Sequence, residues 1–375
     1  MGRRYYEDVT GPWWKPTTWT KKVWALVIAG ITAVVVIVIV VAVVVTRNNA
    51  NANKYPDYSQ LNYTLKETYS GESFFDNFNY FTGYDPANGF VHYVPEETAT
   101  SLNLTSASNS SAIVKVDTSV GPDSTPNAST GRFSVRLESK NQYNNGLFIF
   151  EVKHTPYGCG TWPALWLTDP DNAIWPAHGE IDIMEAVNLA TTGNMMTLHT
   201  TDECTMQSVK RLMTGTIEQA DCYNGTNDNT GCGVDGSTST YGTTYNSDGG
   251  GTVAVEWRDA GIRMWQFTSG SVPSDITAGS PDPSTWGTAL ADFPNTKCDI
   301  GTHFTNASII ANIDLCGSLG EAKYPTSSCP KSCVGDYTCI GGTSPTNCTD
   351  YVANNPTAFE NAYWEFGKFQ IYQQS

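Results

Sequence analysis

The order of apolar and polar positions divides the chain into two parts of different kind. Residues Val23 to Val45 form an uncharged, almost wholly apolar run dominated by Val, Ile and Ala. As a helix rising ~1.5 Å per residue, such a run crosses a ~30 Å hydrocarbon core with some tilt. It exceeds the apolar region of about 7–15 residues in a cleaved signal peptide, although Ala50-Asn51-Ala52 has the small-residue form of a cleavage site. Beyond it, helical periodicity is scarce and short alternating runs take over. Examples are Ala112 to Val116, Phe133 to Leu137, Leu147 to Val152, Val253 to Trp257 and Phe369 to Tyr372. Clusters of Gly, Asn, Asp, Pro and Ser separate them, as in Asp248-Gly249-Gly250-Gly251. Many short strands with this punctuation predict an all-β sandwich or jelly roll.

The division predicts a cytoplasmic tail at 1–22, a transmembrane signal-anchor helix at 23–45, a polar Asn-rich stem at 46–64 and one domain at 65–375, without solenoid repeats. Arg3, Arg4, Lys15, Lys21 and Lys22 precede the span and only Arg47 follows closely, so the N-terminus is expected in the cytoplasm and the β-rich part outside or in the secretory lumen. This is a single-pass type II arrangement, with a secreted form if the anchor is cleaved. Cysteine usage agrees. All ten cysteines, from Cys159 to Cys348, follow the span, and an even count there reads as disulfides in an oxidising compartment. The loops Asn224 to Gly251 and Cys329 to Cys348 are long and expected to be held by such bonds. Glycosylation sequons begin at Asn62, Asn103, Asn109, Asn127, Asn224, Asn306 and Asn347, again after the span.

Charge narrows the partners. After residue 50 the chain holds 15 basic and 35 acidic side chains, a net of −20. Such a surface excludes nucleic acid, because nothing would displace counterions from phosphate. It suits a neutral substrate.

The chemistry concentrates in His178-Gly-Glu-Ile-Asp-Ile-Met-Glu-Ala-Val-Asn188. On a strand, Ile181 and Ile183 face the core while Glu180 and Asp182 face away. Strict alternation would send Glu185 inward. One extra residue, a β-bulge around Met184, restores it to the face of the other acids. Three acids on one face repel and raise at least one pKa. Glycosidic cleavage uses this arrangement: one ionised carboxylate and one protonated carboxylic acid. A solvent-facing acidic edge is the plainer alternative. Upstream, Gly158-Cys-Gly-Thr-Trp-Pro-Ala-Leu-Trp-Leu167 sets Trp162, Ala164 and Trp166 on one face, and Trp175 stands five residues before Glu180. Sugar rings lie flat on indoles, so Trp beside carboxylates points to a saccharide cleft, although Trp162 also suits a core.

Other schemes lack their residues. There is no Gly-x-Ser-x-Gly elbow, phosphate-binding loop or His-Glu-x-x-His zinc motif. The histidines are scattered at positions 92, 154, 178, 199 and 303, and His199 is the one expected near the cleft. No metal and no cofactor is expected.

Glu180-Ile-Asp-Ile-Met-Glu185 resembles the Glu-x-Asp-x-x-Glu signature of glycoside hydrolase family 16, in the bulged form of laminarinases. Gly158-Cys-Gly-Thr-Trp-Pro-Ala, Met196-Thr-Leu-His-Thr, Gly231-Cys-Gly-Val, Phe293-Pro-Asn-Thr, Cys298-Asp-Ile-Gly and Asn361-Ala-Tyr-Trp364 are similar to segments of fungal secreted laminarinases, and the resemblance runs from about Tyr69 to Tyr372. It implies a concanavalin A-like jelly roll of two antiparallel sheets with a cleft across the concave one. It implies endo-acting, retaining hydrolysis of β-1,3- or mixed β-1,3/1,4-glucan. By the same resemblance Glu180 is the nucleophile, Glu185 the general acid/base and Asp182 an assisting acid. Trp166, Trp175 and Trp286 fall at sugar-stacking positions, and His199 at a cleft position. Secreted laminarinases lack the N-terminal anchor. Gly335 to Asn347 stands out as an insertion, with Cys339 and Cys348 as an additional disulfide, and two extra residues lie between Trp166 and Glu180.

The expected partners are a β-glucan and a membrane, with the protein a monomer. A cell-wall glucan transglycosylase would use the same carboxylates. A non-catalytic glucan-binding surface protein would not need three crowded acids.

Overall fold

The computed structural model describes residues 16–52, 54–121, 123–124, 131–171, 173–330 and 348–375. Two compact units emerge, one ending at Lys54 and one spanning Tyr55–Ser375.

The first unit is a helix, Lys21–Ala52, whose stretch Lys21–Thr46 is long and apolar enough to cross a membrane. None of that stretch is buried against protein. Its hydroxyls turn inward: Thr32 donates to the Ile28 carbonyl at 2.8 Å and Thr46 to that of Ala42 at 2.7 Å. Satisfying polar side chains on the helix itself is what a hydrocarbon surrounding demands.

The second unit is a β-sandwich. One sheet runs, edge to edge, through Thr216–Ile217, Cys232–Asp235, Met195–His199, Glu180–Glu185, Thr161–Thr168, Ala307–Leu315, Arg136–Tyr143 and Phe78–Tyr80. The other runs through Ala291–Pro294, Gly261–Thr268, Gly251–Arg258, Gly146–His154, Tyr363–Gln374, Ala112–Lys115 and Thr105–Ala107, and Tyr63–Tyr69 also pairs with Tyr363–Gln374. Every pairing within these two sheets is antiparallel, as the alternating runs predict. The core fills the space between the sheets with alternate residues of each strand. Phe148, Phe150, Val253, Val255 and Trp257 come from one sheet; Leu165, Leu167, Ile181, Leu198, Ile309 and Ile313 come from the other. The intervening residues of Glu180–Glu185 and its neighbours are left on the first sheet's far face.

Among the described residues, four disulfides fasten the loops: Cys159–Cys329, Cys204–Cys298, Cys222–Cys232 and Cys316–Cys348. The expected Cys339–Cys348 bond is therefore corrected. Cys348 opens the helix Cys348–Asn354 and meets Cys316, which follows the strand Ala307–Leu315. Cys333 and Cys339 lie outside the described residues, as do the sequons at Asn127 and Asn347. Asn62, Asn103, Asn109 and Asn306 are exposed, and Asn224 is half-buried.

The expected stem is shorter than its Asn-rich composition suggests. From Tyr55 onward the segment is strapped to the sandwich. Tyr55 donates to Asp292 Oδ2 at 2.9 Å, Tyr58 to the Ala260 carbonyl at 3.1 Å and Tyr63 to Glu256 Oε1 at 3.0 Å. The Arg263 guanidinium lies 4.0 Å over the Tyr58 ring. Aromatic anchoring of this kind fixes a segment that polar composition alone would leave free.

Candidate active site

The strand Glu180–Glu185 lies between Thr161–Thr168 and Met195–His199. Glu180 sits opposite Thr168 and His199, Asp182 opposite Trp166 and Thr197, and Glu185 opposite Ala164 and Met195. Between Asp182 and Glu185 the register shifts on both sides. The bulge sends Ile183 and Met184 both into the core and returns Glu185 to the face of Glu180 and Asp182, as the spacing of the acids predicts. Asn194, fully buried, spans the bulge. Its Oδ1 accepts from the Glu185 backbone N–H at 3.0 Å, and its Nδ2 donates to the Ile183 carbonyl at 2.9 Å.

An indole holds each outer acid. Trp175 Nε1–H donates to Glu180 Oε2 at 2.6 Å, and Trp162 Nε1–H donates to Glu185 Oε1 at 2.6 Å. Trp162, which sequence leaves open between core and cleft, is thus part of the cluster. Trp166 is next to Asp182 across the ladder and donates to Asn312 Oδ1 at 2.9 Å, with the Arg136 guanidinium 5.1 Å over its ring. His199 brings Nε2 to 3.5 Å from Asp182 Oδ2, while its Nδ1 is 3.2 Å from Asn229 Oδ1. One oxygen each of Glu180 and Asp182 and a ring nitrogen of His199 lie mutually within 4.8 Å. That convergence would admit a cation, but the chemistry inferred below requires none.

Charge in the cluster goes largely uncompensated. Arg136 gives its ion pair to Glu138 at 2.9 Å, and among the described residues only His199 comes within ion-pair distance of the three acids. Burial raises Glu180 to about 7, against the Trp175 hydrogen bond and the more distant Arg136 charge. Burial raises Asp182 well above the ordinary carboxylate range, and the charges of Glu180 and Glu185 add to it. Glu185 rises to about 7, again by burial first; the Trp162 hydrogen bond and His199 oppose the rise, and Glu180 and Asp235 reinforce it. Burial lowers His199, favouring the neutral imidazole. The acids titrate together, and the cluster retains protons where isolated carboxylates have lost them. It can therefore present an ionised and a protonated carboxyl side by side near neutrality.

Trp286 is not in this constellation, contrary to expectation. It follows the turn Pro283–Thr285 and packs over the outer face of the other sheet, with the satellite cluster of Leu147, Ile149, Ala254 and Ile276. Its ring meets Trp265 and Phe267 edge-on at 5.3 and 5.7 Å, and its Nε1–H donates to Asp275 Oδ2 at 2.7 Å. A loop tryptophan has no strand periodicity to declare its face; tertiary docking decides it. Asn194, Arg136 and Asn312, by contrast, join the site without a local sequence signal.

The family description "XgeA-like, catalytic GH16 domain" matches residues 78–372. The chain is 42% identical over 324 residues to a probable glycosidase of Schizosaccharomyces pombe, covering 85% of this chain and 71% of that protein. It is 36% identical over 323 residues to the endo-1,3(4)-β-glucanase xgeA of Emericella nidulans, covering 84% of this chain but 48% of the relative. Against the structure of Laminarinase 16A from Phanerochaete chrysosporium, with β-glucans in donor and acceptor sites, identity is 39% and the TM-score 0.74, over 83% of this chain and 99% of the other. An elongating family 16 β-1,3-glucosyltransferase is 36% identical with a TM-score of 0.73, over 83% and 100% of the two chains.

Proposed function

The chain belongs to glycoside hydrolase family 16, and from that premise we propose that it cleaves internal β-1,3- or mixed β-1,3/1,4-glucosidic bonds by retaining double displacement. One observation carries the reading: three carboxyls, Asp182 and Glu185 buried and Glu180 half-buried, share a strand face without a salt-bridged cation among the described residues, and an indole holds each of the outer two. The xgeA relative is named an endo-1,3(4)-β-glucanase and the Phanerochaete neighbour a laminarinase, which supports the substrate class.

In this mechanism Glu180 attacks the anomeric carbon as Glu185 protonates the departing glycosidic oxygen. Glu185 then deprotonates the water that opens the glycosyl-Glu180 ester. Electrostatics favour this division of labour. The Arg136 charge favours the anion of Glu180, whereas the charges of Glu180 and Asp235 favour the proton on Glu185. Asp182, raised by burial and by its two carboxyl neighbours, stores a proton beside the nucleophile and limits repulsion when Glu180 ionises. Trp162, Trp166 and Trp175 frame the face on which glucose rings would stack, with His199 at its side. Trp286, packed against the opposite sheet, does not contribute to this face.

A second reading has its own support in the elongating glucosyltransferase: another glucan could replace water as acceptor, with the same carboxylates. Incubating the chain with laminarin, lichenan and xyloglucan separates the readings. Shorter oligosaccharides from laminarin indicate hydrolysis, longer ones indicate transfer, and intact laminarin and lichenan would refute both.

The apolar helix and the disulfides support an extracellular or lumenal catalytic unit. The finer proposal is a single-pass type II anchor with glycosylated sequons. Protease protection of the N-terminus in sealed vesicles tests it; a cytosol-exposed, glycan-free C-terminal unit would overturn it.

A further inference from the structure

We infer that Asn194 is a positioning residue for Glu185, holding the bulge that brings this carboxyl onto the catalytic face. The inference rests on the proposed role of Glu185. A β-bulge leaves backbone groups outside the ladder, and a buried group without a partner is costly. Here two residues, Ile183 and Met184, stand against one residue of the neighbouring strand. The two backbone groups flanking that irregularity, the Glu185 N–H and the Ile183 carbonyl, need an acceptor and a donor. A single primary amide supplies both, at 3.0 and 2.9 Å. An ionised carboxylate only accepts and an alkyl side chain does neither, so neither could serve both at once.

Asn194 is itself anchored. Its N–H donates to Thr240 Oγ1 at 2.9 Å, and its carbonyl accepts from Gly236 N–H at 2.8 Å. The 236–240 loop is braced in turn by Gln266, whose Nε2 donates to the Thr240 carbonyl at 2.5 Å from a strand of the opposite sheet. Glu185 is thus fixed at two points: its backbone by Asn194 and its carboxyl by Trp162. Glu180 lies on the regular part of the strand and makes no contact with Asn194 through either amide bond. Loss of the Asn194 amide should therefore disturb the acid/base and spare the nucleophile.

The test compares Asn194→Ala and the near-isosteric Asn194→Asp with the parent, each as the full chain in detergent micelles. Laminarin needs its leaving group protonated; a 2,4-dinitrophenyl β-laminaribioside does not. If Asn194 positions Glu185, laminarin kcat should fall about 100-fold in Asn194→Ala, the scale of a ~1 Å misplacement. KM should hold, the dinitrophenolate burst should keep its rate, and azide should speed steady-state turnover by intercepting the glycosyl-Glu180 ester as a glycosyl azide. Asn194→Asp, which keeps the acceptor and loses the donor, should fall between the two. A parallel loss on both substrates without azide acceleration, laminarin turnover within threefold of the parent, or failure of both variants to fold would overturn the inference and leave Asn194 a structural residue. A parent chain inert on both substrates would refute the functional reading itself, and this inference with it.

Discussion

Buried acids occur on the outward faces of both sheets, and they are treated in opposite ways. On one face Glu256, Arg263 and Asp292 stand in a row across three adjacent strands. Arg263 gives Glu256 two hydrogen bonds, at 3.0 and 2.5 Å, and Arg258 adds a third at 3.3 Å. Tyr55 and the Leu212 backbone N–H cap Asp292, and Tyr58 and Tyr63 close the row from the strap. On the other face Glu180, Asp182 and Glu185 have two indoles, one neutral histidine and, among the described residues, no salt-bridged cation. A fold that neutralises one buried acidic row this thoroughly has the means to neutralise the other. Leaving it charged and protonatable costs stability, and that cost is expected where a site must hold and release protons.

Substitutions should therefore separate cleanly by face. The largest effect is expected for Glu180→Gln: turnover of laminarin falls on the order of 10⁴-fold or more, with no loss of thermal stability. Steady-state kinetics with a melting curve check both halves. Glu185→Ala should follow, losing roughly 10²–10⁴-fold on laminarin while azide restores turnover of an activated aryl glycoside. Glu256→Gln should do the reverse. It strands buried Arg263 and should cost roughly 3–5 kcal/mol of stability with kcat/KM unchanged, as denaturant melts and kinetics would show.

The pH dependence carries the same contrast. The catalytic-face acids are raised in the fold, Glu180 and Glu185 from 4.5 to about 7, so the native state binds protons more tightly than the unfolded chain there. Their contribution to stability is full below about pH 4.5 and is lost as pH rises through about 7. Melting temperatures across this window should fall with rising pH. In Glu180→Gln/Asp182→Asn/Glu185→Gln the slope should flatten; an unchanged slope would place its origin elsewhere.

The smallest effect on turnover is expected for Trp286→Ala: kinetics unchanged, and stability down by about 1–3 kcal/mol for a half-buried indole. A rise in KM without destabilisation would return Trp286 to glucan binding.

How far sequence reached follows the same physical lines. Strand alternation is local, so the acids, the bulge that regroups them and the placement of Trp166 could be read from spacing alone. Face and partner are not local for loop residues. Trp286 gave no hint that it packs behind the opposite sheet, and Cys348 none that it meets Cys316. Tyr55, Tyr58 and Tyr63 sit in a polar stretch that reads as a stem, because their partners lie roughly 200 residues away in sequence. Asn194 carries no local sign of its role, since its partner is the backbone of Glu185, nine residues upstream, where the ladder is irregular.

The most direct test of the uncompensated carboxyls as a retaining catalytic pair is proton NMR of the first reducing ends released from laminarin. The β-anomer should appear first, with the α-anomer growing in only by mutarotation. An α-anomer formed first would contradict the assignment of Glu180 and Glu185 to double displacement.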